Sequence, residues 1–129
     1  MPTIVPVAAA LIRSGDRILI CRRPPDKARG LLWEFVGGKL EPGETSVQAL
    51  VRECKEELGI TVEPGQIFLE VTHTYPDVTI QLTLLEARIA AGVPQMREHI
   101  GLCWVLPSEL PQYEFCPADQ EILKKLMQP

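Results

Sequence analysis

The chain has 129 residues, enough for one ordinary domain that buries its own apolar core without bridges or oligomerisation. Its 17 acidic against 13 basic side chains, a net charge of −4, exclude a nucleic-acid binder that works through a broad basic surface, yet allow a small anion to be neutralised locally. Cys21, Cys54, Cys103 and Cys116 lie among apolar neighbours without CxxC pairing. They read as buried thiols in a reducing compartment, the cytoplasm, rather than as disulfides or zinc ligands.

In chain order, residues 3–12 and 17–22 form a predicted hairpin around Ser14-Gly15-Asp16, with Ile18 and Ile20 alternating against Arg17 and Leu19. The apolar opening has no basic leader, contains Pro6 and is too short for a bilayer, so it reads as a strand and not as a signal or an anchor. Residues 22–30, with two prolines and four cationic side chains, form a flexible positive loop, followed by the apolar segment 31–36. Over 46–58 the apolar Val47, Leu50, Val51, Cys54 and Leu58 recur at helical spacing, with Thr45 or Ser46 as cap and Gly59 as stop. Strands follow at 67–74, 79–90 and 102–106, and a closing helix at 118–127 after Pro117. No repeat or linker interrupts the chain, so residues 1–129 read as a single domain of mixed α/β packing.

Glu53, Glu56 and Glu57 stand at i, i+3 and i+4, so their carboxylates project from neighbouring positions on one helix face. Like charges at this spacing cost a few tenths of a kcal/mol, about what one favourable pair returns. A hard cation removes the penalty, and Mg²⁺ prefers carboxylate oxygens shared with phosphates and waters. Acidic clusters on their own usually just face water. What sets this one apart is the stretch before it, Gly37-Gly38-Lys39-Leu40-Glu41-Pro42-Gly43-Glu44, a glycine-bearing structured loop that leads into the acidic helix.

Gly38, five residues, Glu44, seven residues, then Arg52-Glu53-Cys54-Lys55-Glu56-Glu57-Leu58-Gly59-Ile60 resembles the full Nudix signature, with Cys54 and Ile60 at its bulky apolar positions. The preceding Trp33-Glu34-Phe35-Val36-Gly37-Gly38-Lys39 is similar to the MutT-type segment, except that Val36 stands where proline is usual, which removes a restraint on that loop. The resemblance implies an αβα sandwich with a mixed β-sheet. It also implies Mg²⁺, with Mn²⁺ as a substitute, held by Glu53, Glu56 and Glu57 together with Gly38 and Glu98. Arg52 then orients a helix glutamate through a salt bridge, and the general base is Glu53 or Glu98. Arg23 and Lys39 resemble phosphate-binding cations, Phe35 and Tyr75 offer faces for stacking, and Asp119 falls where the family carries a base-reading asparagine or aspartate. An ionised Asp119 accepts hydrogen bonds only, which favours an amino-bearing edge such as cytosine or an oxidised guanine.

The implied reaction is attack of water on a phosphoanhydride, releasing a monophosphate and pyrophosphate. The MutT-type resemblance puts 8-oxo-dGTP first, with CTP, dCTP or a 5-modified dCTP close behind. Tyr75-Pro76 keeps ADP-ribose and dinucleoside polyphosphates in view. The intact glutamates oppose a non-catalytic nucleotide-binding module. The partner is a small nucleotide, not a nucleic-acid polymer or a membrane, and monomer and homodimer are both compatible with the chain. Neither His73 nor His99 has the Cys/His spacing of a metal site, and His99 reads as a surface residue, with tuning of the adjacent Glu98 loop as the alternative.

Overall fold

The computed structural model describes residues 3–128. Strands β1 (Ile4–Ser14) and β2 (Arg17–Arg22) form the expected hairpin, and Gly15 turns it with a φ of 62°, a left-handed conformation that costs glycine no Cβ clash. Beyond β2 come the short strands β3 (Trp33–Glu34) and β4 (Gly37–Lys39), helix α1 (Ser46–Leu58), strands β5 (Thr61–Thr74), β6 (Thr79–Ala91) and β7 (Gly101–Val105), and helix α2 (Gln120–Leu126). β1 lies at the centre of the sheet. It runs parallel to β6 from Ile4↔Thr79 to Ile12↔Ala87 and antiparallel to β4 through Ala9↔Gly37, and its far end pairs with β2 through Arg13↔Ile18. β2 carries β3 and β7, and β5 closes the opposite edge against β6. The sheet is therefore mixed.

Both of its faces are covered. Ala8, Ala10, Ile12, Leu19 and Cys21 pack with Leu50, Cys54 and Leu58 of α1. Ala9, Leu11, Ile18 and Ile20 pack on the other face with Phe35, Leu110, Phe115 and Ile122. Two covered faces make the αβα sandwich expected from the sequence, and they correct one detail of it. Leu19 is as buried as Ile18 and Ile20, because a strand covered on both sides has no solvent face to alternate toward.

Helix α1 has the predicted bounds, and Thr45 is its cap. The Thr45 hydroxyl accepts from the Gln48 backbone N–H at 3.1 Å while the Gln48 side chain accepts from the Thr45 N–H at 2.9 Å. Gly59 ends the helix at φ 69°, donating back to the last-turn carbonyls. Strand β5 starts at Thr61, six residues before the predicted 67, and runs through Pro64 and Gly65 by shifting register at Pro64/Ile67 and Ile67/Leu69. An edge strand tolerates this, since its outer side owes no ladder hydrogen bonds. The closing helix begins at Gln120, after a 3₁₀ turn over Pro117–Asp119. The 22–30 loop is tied rather than free: Arg22 Nε donates to the Leu31 carbonyl and Arg23 Nε to that of Ala28, each at 2.9 Å. Among the described residues no helix is long and apolar enough to cross a membrane.

Candidate active site

The site forms where β4 and α1 come against β1. A Cβ on Gly37 would overlap the Ala8 carbonyl oxygen and the Ala9 backbone, so only glycine lets β4 lie this close. A Cβ on Gly38 would stand 2.5–2.8 Å from the carboxylate atoms of Glu53. The two glycines thus serve different neighbours, one the sheet and the other the acidic helix.

Arg52 organises the acids around it. Its guanidinium is bidentate on Glu44, Nε to Oε2 at 2.8 Å and Nη2 to Oε1 at 2.9 Å, while Nη1 reaches Glu53 Oε1 at 2.7 Å and Nη2 the Lys39 carbonyl at 3.1 Å. The hydrogen bond to Arg52, joined by the one from the Glu41 backbone, pulls the Glu44 carboxyl down to about 2. Arg52 is therefore a fixed cation that holds Glu53 by one oxygen.

Glu57, one turn beyond Glu53, is buried. Burial first, then the charge of Glu53 and a hydrogen bond shared with it, and finally the charges of Glu34 and Glu98, push its carboxyl well above the usual range. Its Oε2 has no hydrogen-bond partner. Glu56, by contrast, has a side chain 57% exposed, meets Arg52 at 3.3 Å, and does not line the cleft. At roughly 100° per residue Glu53 and Glu57 share one line of the helix and Glu56 is turned aside, so the single face expected for all three divides.

Glu53 and Glu57 open into a cleft of about 640 Å³ that is also lined by Arg23, Phe35, Gly38, Lys39, Tyr75, Glu98 and Asp119. Among the other predicted residues, Arg52 stands behind this surface and acts on it through Glu53. Phe35 is buried, its ring 5.6 Å from that of Phe115. Arg29 covers one face of Tyr75, Cζ 3.9 Å from the ring centroid, and the His73 ring packs against it at 4.5 Å in a T-shaped contact. The Tyr75 hydroxyl accepts from the Ala118 backbone N–H at 2.9 Å. Asp119 is 4% exposed and makes no capping hydrogen bond to α2. Burial, then the charge of Glu34, raise its carboxyl well above the usual range against the pull of Arg23. The expectation of an acceptor-only carboxylate therefore changes, because a neutral carboxyl both donates and accepts, as asparagine does.

Two further residues meet in the cleft outside the expected site. Glu34 Oε1 accepts from Arg23 Nη1 at 2.8 Å, and its Oε2 lies 3.0 Å from His99 Nε2. His99 is 7% exposed, not a surface residue, and its Nδ1 has no partner. A charged residue inside the apolar segment 31–36 was the available signal for Glu34. His99 carried no local signal, since β2 and β7 have to pair before it reaches Glu34.

Among the described residues no three His, Cys, Asp or Glu side chains already converge as a ready-made ligand set. What the site offers a divalent cation is the unpartnered, buried Oε2 of Glu57 beside Glu53, where crowded carboxyls resist ionising together without a cation, and this fits a hard, oxygen-seeking metal.

The model of the NUDIX domain matches residues 7–125. The chain is 38% identical over 96% of its length to the CTP pyrophosphohydrolase of Escherichia coli K12, covering 92% of that protein. It is 35% identical over 93% of its length to the 8-oxo-dGTP diphosphatase of the same organism, covering 94% of it. Its fold superposes on the MutT protein of Methanosarcina mazei Go1 with a TM-score of 0.87 at 25% identity, over 97% of this chain and 94% of that one. Divalent metals such as Mg²⁺ are general in this family. With its full signature, its cleft and these relatives, the chain belongs to the Nudix hydrolases of MutT type and is an enzyme that cleaves phosphoanhydride bonds of nucleotides.

Proposed function

We propose that the enzyme hydrolyses cytosine nucleoside triphosphates, CTP, dCTP or 5-modified dCTP, to the monophosphate and pyrophosphate. The observation that carries this reading is the buried Asp119 carboxyl in the cleft. In its neutral form it sets a donor beside an acceptor, and cytosine answers with the N3 acceptor beside the N4 amine. The 38% identity to a CTP pyrophosphohydrolase supports placing cytosine ahead of the 8-oxo-dGTP that the signature alone put first. 8-oxo-dGTP is the second reading, since its O6 and N1–H offer the same pair and an 8-oxo-dGTP diphosphatase is 35% identical.

Glu53, Glu57, Glu98 and the Gly38 backbone are the groups that would hold Mg²⁺. When bound, the ion neutralises phosphate oxygens and makes a bound water more acidic. Arg23 and Lys39 face the phosphates and offset their remaining charge. A carboxylate, Glu53 or Glu98, takes one proton from the attacking water. The water oxygen bonds to phosphorus, and the bridging oxygen leaves with the electron pair of the broken anhydride bond. Arg52 holds Glu53 ready for that task without touching substrate.

The test is release of pyrophosphate against phosphate from CTP, dCTP, 5-methyl-dCTP, 8-oxo-dGTP, the other dNTPs, ADP-ribose and a dinucleoside polyphosphate, each with and without Mg²⁺, compared as kcat/KM. A metal-dependent preference for the cytosine compounds is expected. A preference for 8-oxo-dGTP moves the assignment to the second reading, and turnover of ADP-ribose alone removes both.

A further inference from the structure

Near Asp119 the cleft is walled by two segments distant in sequence, the loop after β2 and the turn between β5 and β6. Arg29, on the first, joins them. Its Nη1 lies 3.1 Å from Asp77 Oδ1, and its guanidinium sits over the ring of Tyr75. That ring is anchored in turn by the hydrogen bond from Ala118, the residue before Asp119. Arg29 and Leu31 both take positive φ, 56° and 69°, a region in which residues with a Cβ are strained and which they keep only where surrounding contacts hold them. The Arg29 side chain is 24% exposed and lines the cleft, as do Tyr75 and Asp77. Its charge is also felt at Cys116, in the chain segment that leads to Asp119.

A guanidinium seated on a ring bonds sideways through its N–H groups, of which Asp77 takes one on Nη1, and it can only donate. Asp119, which lines the same cleft and follows the Ala118 that anchors Tyr75, is the group proposed above to read the base. Cytosine and 8-oxoguanine both carry a ring carbonyl that a donor can meet, and adenine carries none.

We propose that Arg29 is a specificity-determining residue of this hydrolase: from its seat on Tyr75, tethered by Asp77, it meets the carbonyl oxygen of the nucleobase and separates carbonyl-bearing bases from adenine. The assignment rests on the reading that this part of the cleft receives the base. Asp77 and Tyr75 are positioning residues, which act through Arg29.

The experiment compares wild type with Arg29→Ala, Arg29→Lys and Asp77→Asn. Steady-state kinetics are measured with dCTP, 8-oxo-dGTP and dATP, and binding of dCMP and deoxyribose 5-phosphate by calorimetry. For Arg29→Ala the kcat/KM of the preferred carbonyl-bearing nucleotide is expected to fall about tenfold or more, through KM, as befits one charge-assisted hydrogen bond. Its advantage over dATP should shrink by the same factor, dCMP should bind more weakly, and deoxyribose 5-phosphate should bind as before. Arg29→Lys, which keeps the charge and loses the fork, should recover only part of the preference, and Asp77→Asn should show a smaller change of the same sign. An equal loss on dATP and on deoxyribose 5-phosphate, or no change in base preference with the thermal midpoint intact, overturns the role of Arg29. If wild type hydrolyses no triphosphate, the proposed reaction fails, and the calorimetric comparison of base-bearing with baseless ligand still decides whether Arg29 meets a base.

Discussion

Arg52 grips Glu44 with two parallel hydrogen bonds, Nε to Oε2 at 2.8 Å and Nη2 to Oε1 at 2.9 Å, while its third nitrogen holds Glu53. A planar fork can span both carboxylates, and a single ammonium cannot. Arg52→Lys is therefore expected to lower kcat by about 10–100-fold, the range found for groups that orient metal ligands, with KM little changed. Steady-state kinetics check this, and a variant with full kcat would show that Glu53 needs no such anchor.

The same pair sets an acid limit. The Glu44 carboxyl is held down to about 2, below its unfolded value, so its contribution to stability is complete above the unfolded value and is lost as pH falls through the folded one. The Glu44 carboxylate should stay ionised at pH 3, where ordinary glutamates protonate, and carboxyl NMR titration reads this directly. A Glu44 midpoint near 4 would mean the ion pair does not persist in solution.

Glu57→Gln is expected to cost more than about 100-fold in turnover, beyond the loss for a group that only orients a ligand, while the chain stays folded. Burial raises the Glu57 carboxyl, so the fold is at full stability below the unfolded value and loses stability as pH rises toward the folded one. The metal-free variant should therefore melt higher than wild type at pH 8 and equally at pH 4. Near-normal activity would remove Glu57 from the metal site.

Gly37→Ala and Gly38→Ala should fail in different ways. At 37 the new methyl meets the backbone of β1, and a loss of about 1–3 kcal/mol in urea unfolding is expected. At 38 it meets the Glu53 carboxylate, a side chain that can swing away, so stability should change little and activity should fall sharply. Equal loss of stability in both would contradict this division.

Asp119→Asn tests the protonation state of Asp119. Because burial raises the Asp119 carboxyl, the folded state is penalised as pH rises above the usual aspartate range. The variant should be more stable at pH 7 and no more stable at pH 4. It should keep its base preference at both, since asparagine also donates and accepts, whereas Asp119→Ala should lose it. Loss of preference in Asp119→Asn would point to an ionised carboxylate.

Much of this site could be read from the sequence because its chemistry is local. Helix α1 was legible to the residue, since Thr45, Gln48 and Gly59 specify its ends through bonds a few positions long. β5 was not, because the propriety of Pro64 in a strand depends on that strand being an edge, which is a property of the sheet. Glu34 and His99 escaped for a similar reason. Their meeting requires β2 to pair with both β3 and β7.

The sequence by itself determined the clustered carboxylates, the glycines before them and the arginine among them, because helix periodicity and the absence of a Cβ do not depend on distant partners. Only the tertiary structure decided which two of the three glutamates face the cleft, that Asp119 is buried enough to favour its proton, and that Arg29 sits over the Tyr75 ring. Burial and electrostatic environment are sums over neighbours from remote segments, and those neighbours exist only once the sheet has brought them together.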